Sequence, residues 1–255
     1  MSEPNAFDPR SVPLSPDELR GRVILVTGAN QGIGRAVAQA CAAHGATVLL
    51  LGRNARQLGE VHARITAQYG AQRATIVEFD LENALARDYD ALFTAIDERY
   101  QRLDGLLHNA GMLGQLAPIE HYDVPLWCRV LQVNLTAAFV LTQILLPLLK
   151  RSEDASILFS ASSVGRVGRA YWGAYAVSKF GLEGLNEVLS EELAGFTKIR
   201  VNSLNPGPVR TKMRRQAYPA EDTGTLATPE SITGPYLALL GPAGRGITGG
   251  RFNAQ

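Results

Sequence analysis

From Arg22 almost to the end of the chain, short apolar runs alternate with stretches whose apolar positions recur at helical spacing. Residues 23–26, 47–51, 75–79, 105–107, 156–159 and 199–204 read as strands. Several are apolar almost without a break, which suits strands buried on both faces of a parallel sheet rather than strands with one wet face. Residues 34–44, 56–69, 85–101, 126–149 and 174–195 read as the intervening helices. This alternation predicts right-handed βαβ units wound on both sides of one sheet: an α/β fold with a doubly wound parallel sheet in three α/β/α layers. One domain over residues 21–255 is expected, preceded by an arm over residues 1–20 in which Ser15-Pro16-Asp17-Glu18 can cap a short turn. Residues 218–229, rich in Pro, Gly and Thr, are expected to form a mobile loop. No internal repeat, low-complexity tract or interdomain linker interrupts the pattern.

Composition narrows the picture. The chain has 255 residues, 46% hydrophobic and 19% charged, with a formal net charge of +1. Such a balance offers no electrostatic reason to expect nucleic acid or an anionic membrane as partner. Cys41 and Cys128 lie far apart in helical segments, so a disulfide framework is not expected. The first residues carry no apolar core of a signal peptide. The most lipid-like run, 137–149, is too short to span a bilayer and contains Gln143 and Pro147. A soluble, cytoplasmic protein is therefore expected. Histidines 44, 62, 108 and 121 show no metal-ligand spacing, and no metal is predicted.

The first strand leads into Thr27-Gly28-Ala29-Asn30-Gln31-Gly32-Ile33-Gly34, followed directly by a helix. Glycines here allow a tight turn, close backbone approach to a pyrophosphate and packing of helix on strand. The free N–H groups at the helix start then face the anion. Gly28, Asn30, Gln31, Gly32, Ile33 and Gly34 are the candidate phosphate cradle, although an ordinary Gly-rich turn would look alike. The second strand ends in Gly52-Arg53-Asn54 with no carboxylate. Dinucleotide folds place an acidic side chain here for a ribose 2′-hydroxyl and an arginine for a 2′-phosphate. Arg53, with Arg35 in support, thus predicts NADP(H) over NAD(H), against the alternative of a solvated arginine. At the end of the third strand Asp80 can accept a hydrogen bond from an adenine amino group beside Leu81, or cap the next helix. Asn109, Ala110 and Gly111 follow the fourth strand and are small enough for backbone to lie against a flat ring or sugar.

Tyr175 and Lys179 are four residues apart at the start of a long helical pattern, so phenol and ammonium share a face. A free phenol has a pKa of about 10. A cation roughly 4 Å away attracts the phenolate by about 4 kcal/mol at an effective dielectric of about 20, before desolvation subtracts from it. The pairing is thus expected to draw the phenol toward working pH, where acid–base chemistry is efficient. The spacing is also common on ordinary helices. Ser162 follows the fifth strand and so sits at the carboxyl edge of the sheet, where open α/β folds bind ligands. Asn134, a poor helix former in an apolar helix, is either a locally satisfied amide or a water holder.

Taken together in this order, these motifs resemble the short-chain dehydrogenase/reductase family over nearly the whole chain after the arm. Thr27 to Gly34 matches its TGxxxGIG turn, Tyr175 and Lys179 its YxxxK pair, and Asn109-Ala110-Gly111 its NAG segment, with His108 in place of the usual Asn. Asn205-Pro206-Gly207-Pro208-Val209-Arg210-Thr211 matches its PG-x-V-x-T segment. The phrases Leu51-Gly52-Arg53-Asn54, Ser163-Val164-Gly165-Arg166 and Trp172-Gly173-Ala174-Tyr175 are most similar to the YciK-type oxidoreductases of Gram-negative bacteria. The resemblance implies hydride transfer between nicotinamide and a small-molecule carbonyl or alcohol. It makes Tyr175 the proton donor, Lys179 the holder of the nicotinamide ribose, Ser162 the group orienting the substrate oxygen, and Asn134 the holder of a relaying water. Ser160 and Ser163 compete for the serine role; the family spacing to Tyr175 and Gly165 selects Ser162. Pro206, Gly207, Val209 and Thr211 would meet the carboxamide and diphosphate. It further implies a homodimer or homotetramer built partly from the helices of Asn134 and Tyr175, and a lid over 211–229. His108, Tyr171, Trp172, Met213 and Tyr218 are candidates for the substrate pocket or for core. The competing expectations are a nucleotide-binding sensor without catalysis and isomerase or dehydratase chemistry on the same scaffold.

Overall fold

Seven short strands order the fold, the five inner ones buried and the edge strands β3 and β7 partly exposed: β1 (Val23–Thr27), β2 (Thr47–Gly52), β3 (Ala74–Glu78), β4 (Gly105–His108), β5 (Ser156–Ser160), β6 (Arg200–Asn205) and β7 (Arg251–Asn253). The computed structural model describes residues 7–255; the first six residues of the predicted arm lie outside the described residues. All strand pairs are parallel, in the order β3-β2-β1-β4-β5-β6-β7. Consecutive strands run outward from β1 to β3, then return across the sheet to β4. The order therefore reverses between β1 and β4, which opens a crevice at their carboxyl ends.

Alternate strand residues feed two cores. Ile24, Val26, Val48, Leu50, Leu158 and Leu204 pack with α1 (Gly32–Ala43), α2 (Ala55–Tyr69) and α8 (Thr233–Leu240). Leu25, Leu49, Leu51, Leu106, Phe159 and Val201 point the other way, onto α3 (Ala86–Tyr100), α5 (Ala137–Leu149) and α6 (Gly173–Leu193). Burial on both faces is the physical cause of the unbroken apolar runs.

Several expectations change. The predicted 126–149 helix begins earlier, as α4 (Val124–Leu131), and passes through a π-helical turn at Gln132–Thr136 into α5. The continuous Val124–Leu149 helix is, by length and composition, long and apolar enough to cross a membrane, so the 13-residue run understated it. Leu141, Leu145, Leu148 and Leu149 of this helix nevertheless lie in the core, where the sheet supplies the apolar surroundings. The arm is not peripheral either: Leu19 is fully buried, its N–H bonds His44 O at 2.9 Å, and Phe7 meets Phe252 edge-on at 5.7 Å. A helix, α7 (Lys212–Ala217), precedes the predicted loop, and α8 and β7 follow it. Glycine and proline at the start of α8 and the polar three-residue length of β7 hid both from periodicity.

Candidate active site

The crevice is a cleft of about 460 Å³ running along the carboxyl edge of the sheet. Its first wall is the turn after β1. Gly28 (φ +66°) and Gly32 (φ +55°) adopt left-handed backbone, and a Cβ on Gly34 would stand 2.3 Å from Gly28 O. Only glycine fits these positions, which leaves the helix start open to an anion. Gly28, Asn30, Gln31, Gly32 and Ile33 line the cleft, while Gly34 supports it from behind. Asn30 Nδ2 donates to Gln57 Oε1 at 2.8 Å, tying the turn to α2.

Arg53, Asp80 and Leu81 line the same end. Arg53 is mostly exposed and donates from Nη1 to Glu82 Oε2 at 3.2 Å. Arg35 does not assist it: its guanidinium turns to Glu230, at 3.4 Å, because α1 packs beside the turn that precedes α8. Asp80 both faces the cleft and folds its own turn, accepting from Glu82 N–H at 3.0 Å and Asn83 Nδ2 at 2.8 Å. Burial opposes its ionisation, but these hydrogen bonds and the Arg53 charge hold its pKa below the ordinary value.

Asn109, Ala110 and Gly111 form the cleft floor. Thr27, which the motif reading left unassigned, sets their position. Its Oγ1 accepts from Asn109 and Ala110 N–H, both at 2.9 Å, and donates to Leu107 O at 3.2 Å. One hydroxyl thereby locks β1 to the segment after β4.

Tyr175 and Lys179 reach the cleft from the first turns of α6. Lys179 Nζ lies 5.7 Å from the Tyr175 ring centre and donates to Ser160 O at 2.7 Å. Both side chains are buried, and burial is the main influence on each. The Lys179 ammonium is pushed down to about 8 by burial, partly offset by Glu183. The Tyr175 phenol is pushed up to about 12 by burial, tempered by the nearby Ser162 hydroxyl. The expected fall in the phenol's pKa is absent in this geometry, because burial favours the neutral phenol.

Of the three serines, Ser160 lines the cleft with its Oγ 3.3 Å from Tyr236 Oη, Ser163 is exposed, and Ser162 stands outside the cleft lining but near the phenol. Asn134 lies buried in the π-turn. Its Oδ1 accepts from Met112 N–H at 2.8 Å, and its Nδ2 donates to Met112 O and Ser178 Oγ, both at 3.0 Å. Ser178 Oγ donates in turn to Tyr175 O at 2.7 Å. Both Nδ2 hydrogens are thus spent as a strut between the cleft floor and α6.

Pro206 and Thr211 line the cleft, and Gly207 and Val209 do not. Gly207 (φ +73°) backs onto Gln255, whose Nε2 donates to Pro206 O at 2.6 Å, and Val209 is buried beside Ala227. Among the substrate-pocket candidates, His108 is core. It stacks on Phe159 at 5.0 Å, shares a 2.9 Å hydrogen bond between Nε2 and Thr142 Oγ1, and burial pushes its pKa down to about 3. Tyr171 projects to solvent. Trp172 packs 5.6 Å from the Tyr175 ring and 5.9 Å from Tyr218, with Met213 against the same cluster. Arg214 lies 3.8 Å over Tyr218 and pairs with Glu221, so the start of the predicted mobile loop is tied down in this conformation. Among the described residues no His/Cys/Asp/Glu group could hold a metal ion.

The chain is similar to known proteins across this whole architecture. Residues 22–222 match the short chain dehydrogenase family model. The uncharacterized oxidoreductase YciK of Escherichia coli K12 is 47% identical over 239 residues, 94% of each chain. A short chain dehydrogenase from Escherichia coli CFT073, solved with NADPH, is 48% identical with a TM-score of 0.91 over 94% of this chain and 99% of that one. One from Shigella flexneri 2a, solved with NADP, is 47% identical with a TM-score of 0.90 over 94% and 100%. With its reversed sheet order, glycine turn and Tyr175–Lys179 pair, the chain belongs to the short-chain dehydrogenase/reductase family.

Proposed function

We propose that this oxidoreductase uses NADP(H) to interconvert a small-molecule carbonyl and its alcohol, with Tyr175 as the proton-transferring residue. The observation that carries the reading is spatial. A phenol and an ammonium from α6 open onto the same cleft whose far end holds a glycine cradle and a free-edged arginine. NADP and NADPH in the Shigella flexneri and Escherichia coli structures support the cofactor. The residues fit it: left-handed glycines leave backbone N–H groups open to the cleft, where they would hold a diphosphate, Asp80 and Leu81 would flank an adenine, and Arg53 would meet a 2′-phosphate.

The cofactor supplies hydride chemistry, and the chain supplies orientation and proton transfer. Ser162 holds the substrate oxygen beside Tyr175 Oη. The protonated phenol donates to that oxygen in reduction and takes the proton back in alcohol oxidation. Lys179 holds the nicotinamide ribose and stabilises the phenolate left behind. Asn134 braces α6 against the cleft floor, and Pro206, Gly207, Val209 and Thr211 shape the carboxamide end. Trp172 and Met213 give the substrate side an apolar wall. We include in this reading a cytoplasmic location and a homodimer or homotetramer using α5 and α6, whose Phe139, Val177, Phe180 and Val188 are exposed apolar residues.

NADPH oxidation across a panel of ketones, aldehydes and quinones tests the proposal. Tyr175→Phe is expected to lower kcat by at least about 100-fold, the scale of general acid catalysis, with NADPH binding nearly unchanged. Undiminished turnover in that variant overturns the mechanism. Tight NADPH binding with no turnover of any carbonyl by the wild type favours a sensor instead.

A further inference from the structure

A carboxylate is an odd neighbour for a phosphate. Glu82 nonetheless lines the adenosine end of the cleft together with Arg53. Its side chain is only 12% exposed, and its two oxygens serve two arginines: Oε2 accepts from Arg53 Nη1 at 3.2 Å and Oε1 from Arg129 Nε at 2.5 Å. Arg129 belongs to α4 and does not line the cleft. The contact is reinforced one turn later, where Gln132 Nε2 donates to Leu81 O at 3.3 Å. The three side chains carry a formal net charge of +1, and Glu82 engages the Arg53 fork only through Nη1. The Nε/Nη2 edge, which suits bidentate contact with a phosphate, stays free.

We propose that this Arg129–Glu82–Arg53 relay sets the discrimination between a 2′-phosphate and a 2′-hydroxyl, with Glu82 and Arg129 as positioning residues. The inference rests on the reading that Arg53 meets the 2′-phosphate. Glu82 holds a long, 69%-exposed side chain in one place, which reduces the rotamer freedom lost on binding. Arg129 cancels the negative charge that Glu82 would otherwise present to a group bearing roughly −1.5 to −2. Removing Arg129 alone leaves a neutral Arg53–Glu82 pair, in which the carboxylate also competes for the fork. Neutralising Glu82 as well restores the net +1 while leaving an amide oxygen to accept from Arg53.

Equilibrium titration of the intact enzyme with 2′,5′-ADP and with 5′-AMP isolates the 2′-phosphate. Arg129→Gln is expected to weaken 2′,5′-ADP on the order of fivefold at low salt, the scale of losing one salt-screened, partly exposed charge, with 5′-AMP unchanged. The double variant Arg129→Gln/Glu82→Gln is expected to recover the wild-type ratio of the two ligands. A wild-type ratio in Arg129→Gln, or no recovery in the double variant, overturns the relay. Arg53→Ala separates the two levels. Loss of the 2′-phosphate preference there with no effect of Arg129→Gln removes only the relay, whereas a preference that survives Arg53→Ala removes the underlying reading and the relay with it.

Discussion

At the scale of the residue, the reacting pair shows how burial decides what charge attraction alone would not. Lys179 is pushed down to about 8 and Tyr175 up to about 12, both chiefly by desolvation. Carbonyl reduction needs the phenol protonated and the lysine charged. The phenol stays protonated throughout the neutral range, so the lysine sets the limit. A group with a pKa of about 8 is charged below that pH and loses its charge above it. The kcat/KM for NADPH, which reports groups of the free enzyme, is therefore expected to fall about tenfold per pH unit above pH 8. A steady-state profile from pH 6 to 10 checks this, and a flat profile to pH 10 contradicts it. His108 makes the same point from the other side: burial holds this polar side chain neutral in the core, where it stacks on Phe159 and shares a hydrogen bond with Thr142.

At the scale of the element, α6 is aimed by what it rests on. The short turn Ser163–Gly165 lies directly beneath it, and a Cβ on Gly165 would stand 2.6 Å from Lys179 Cβ and 2.9 Å from Lys179 O. Backbone cannot yield as a flexible side chain does. Gly165→Ala is expected to lift the first turns of α6, costing about 1–3 kcal/mol of stability, typical of overpacking. Because a displacement of about 1 Å at a reacting group can cost about 100-fold in rate, kcat is expected to fall further than stability alone explains. Urea unfolding and single-turnover reduction measured on the same variant check both effects; unchanged kcat would show that α6 is aimed by other contacts. The π-turn plays the matching part in the long apolar helix, where Asn134 ties the floor to α6.

At the scale of the whole molecule, the two ends of the sheet are separate. The carboxyl edge carries the cleft, and the opposite edge carries a buried ion cluster. Asp154 there accepts from Arg200 Nε at 2.9 Å and pairs with Arg22 at 3.2 Å, all three largely out of solvent. Asp154→Ala would leave two buried guanidiniums without their counter-ion, a change worth about 3–5 kcal/mol in comparable settings. The midpoint of denaturant unfolding is expected to drop, while NADPH affinity of the folded protein stays within twofold. A large loss of NADPH affinity would mean that the two edges are coupled.

Legibility follows range. The alternation of strands and helices, the glycine turn and the Tyr175–Lys179 face were readable because each depends on neighbours within a few residues, where backbone sterics and side-chain period act directly. Arg53 was readable for a similar reason, as a strand-end position. What only the tertiary structure decided involves partners distant in the chain. Thr27 locks the segment after β4, Glu82 is shared between Arg53 and Arg129, Arg35 turns to Glu230, and Leu19 joins the core. The phenol's pKa belongs with these: its sign depends on how completely the fold removes water from Tyr175, and no spacing of residues along the chain encodes that.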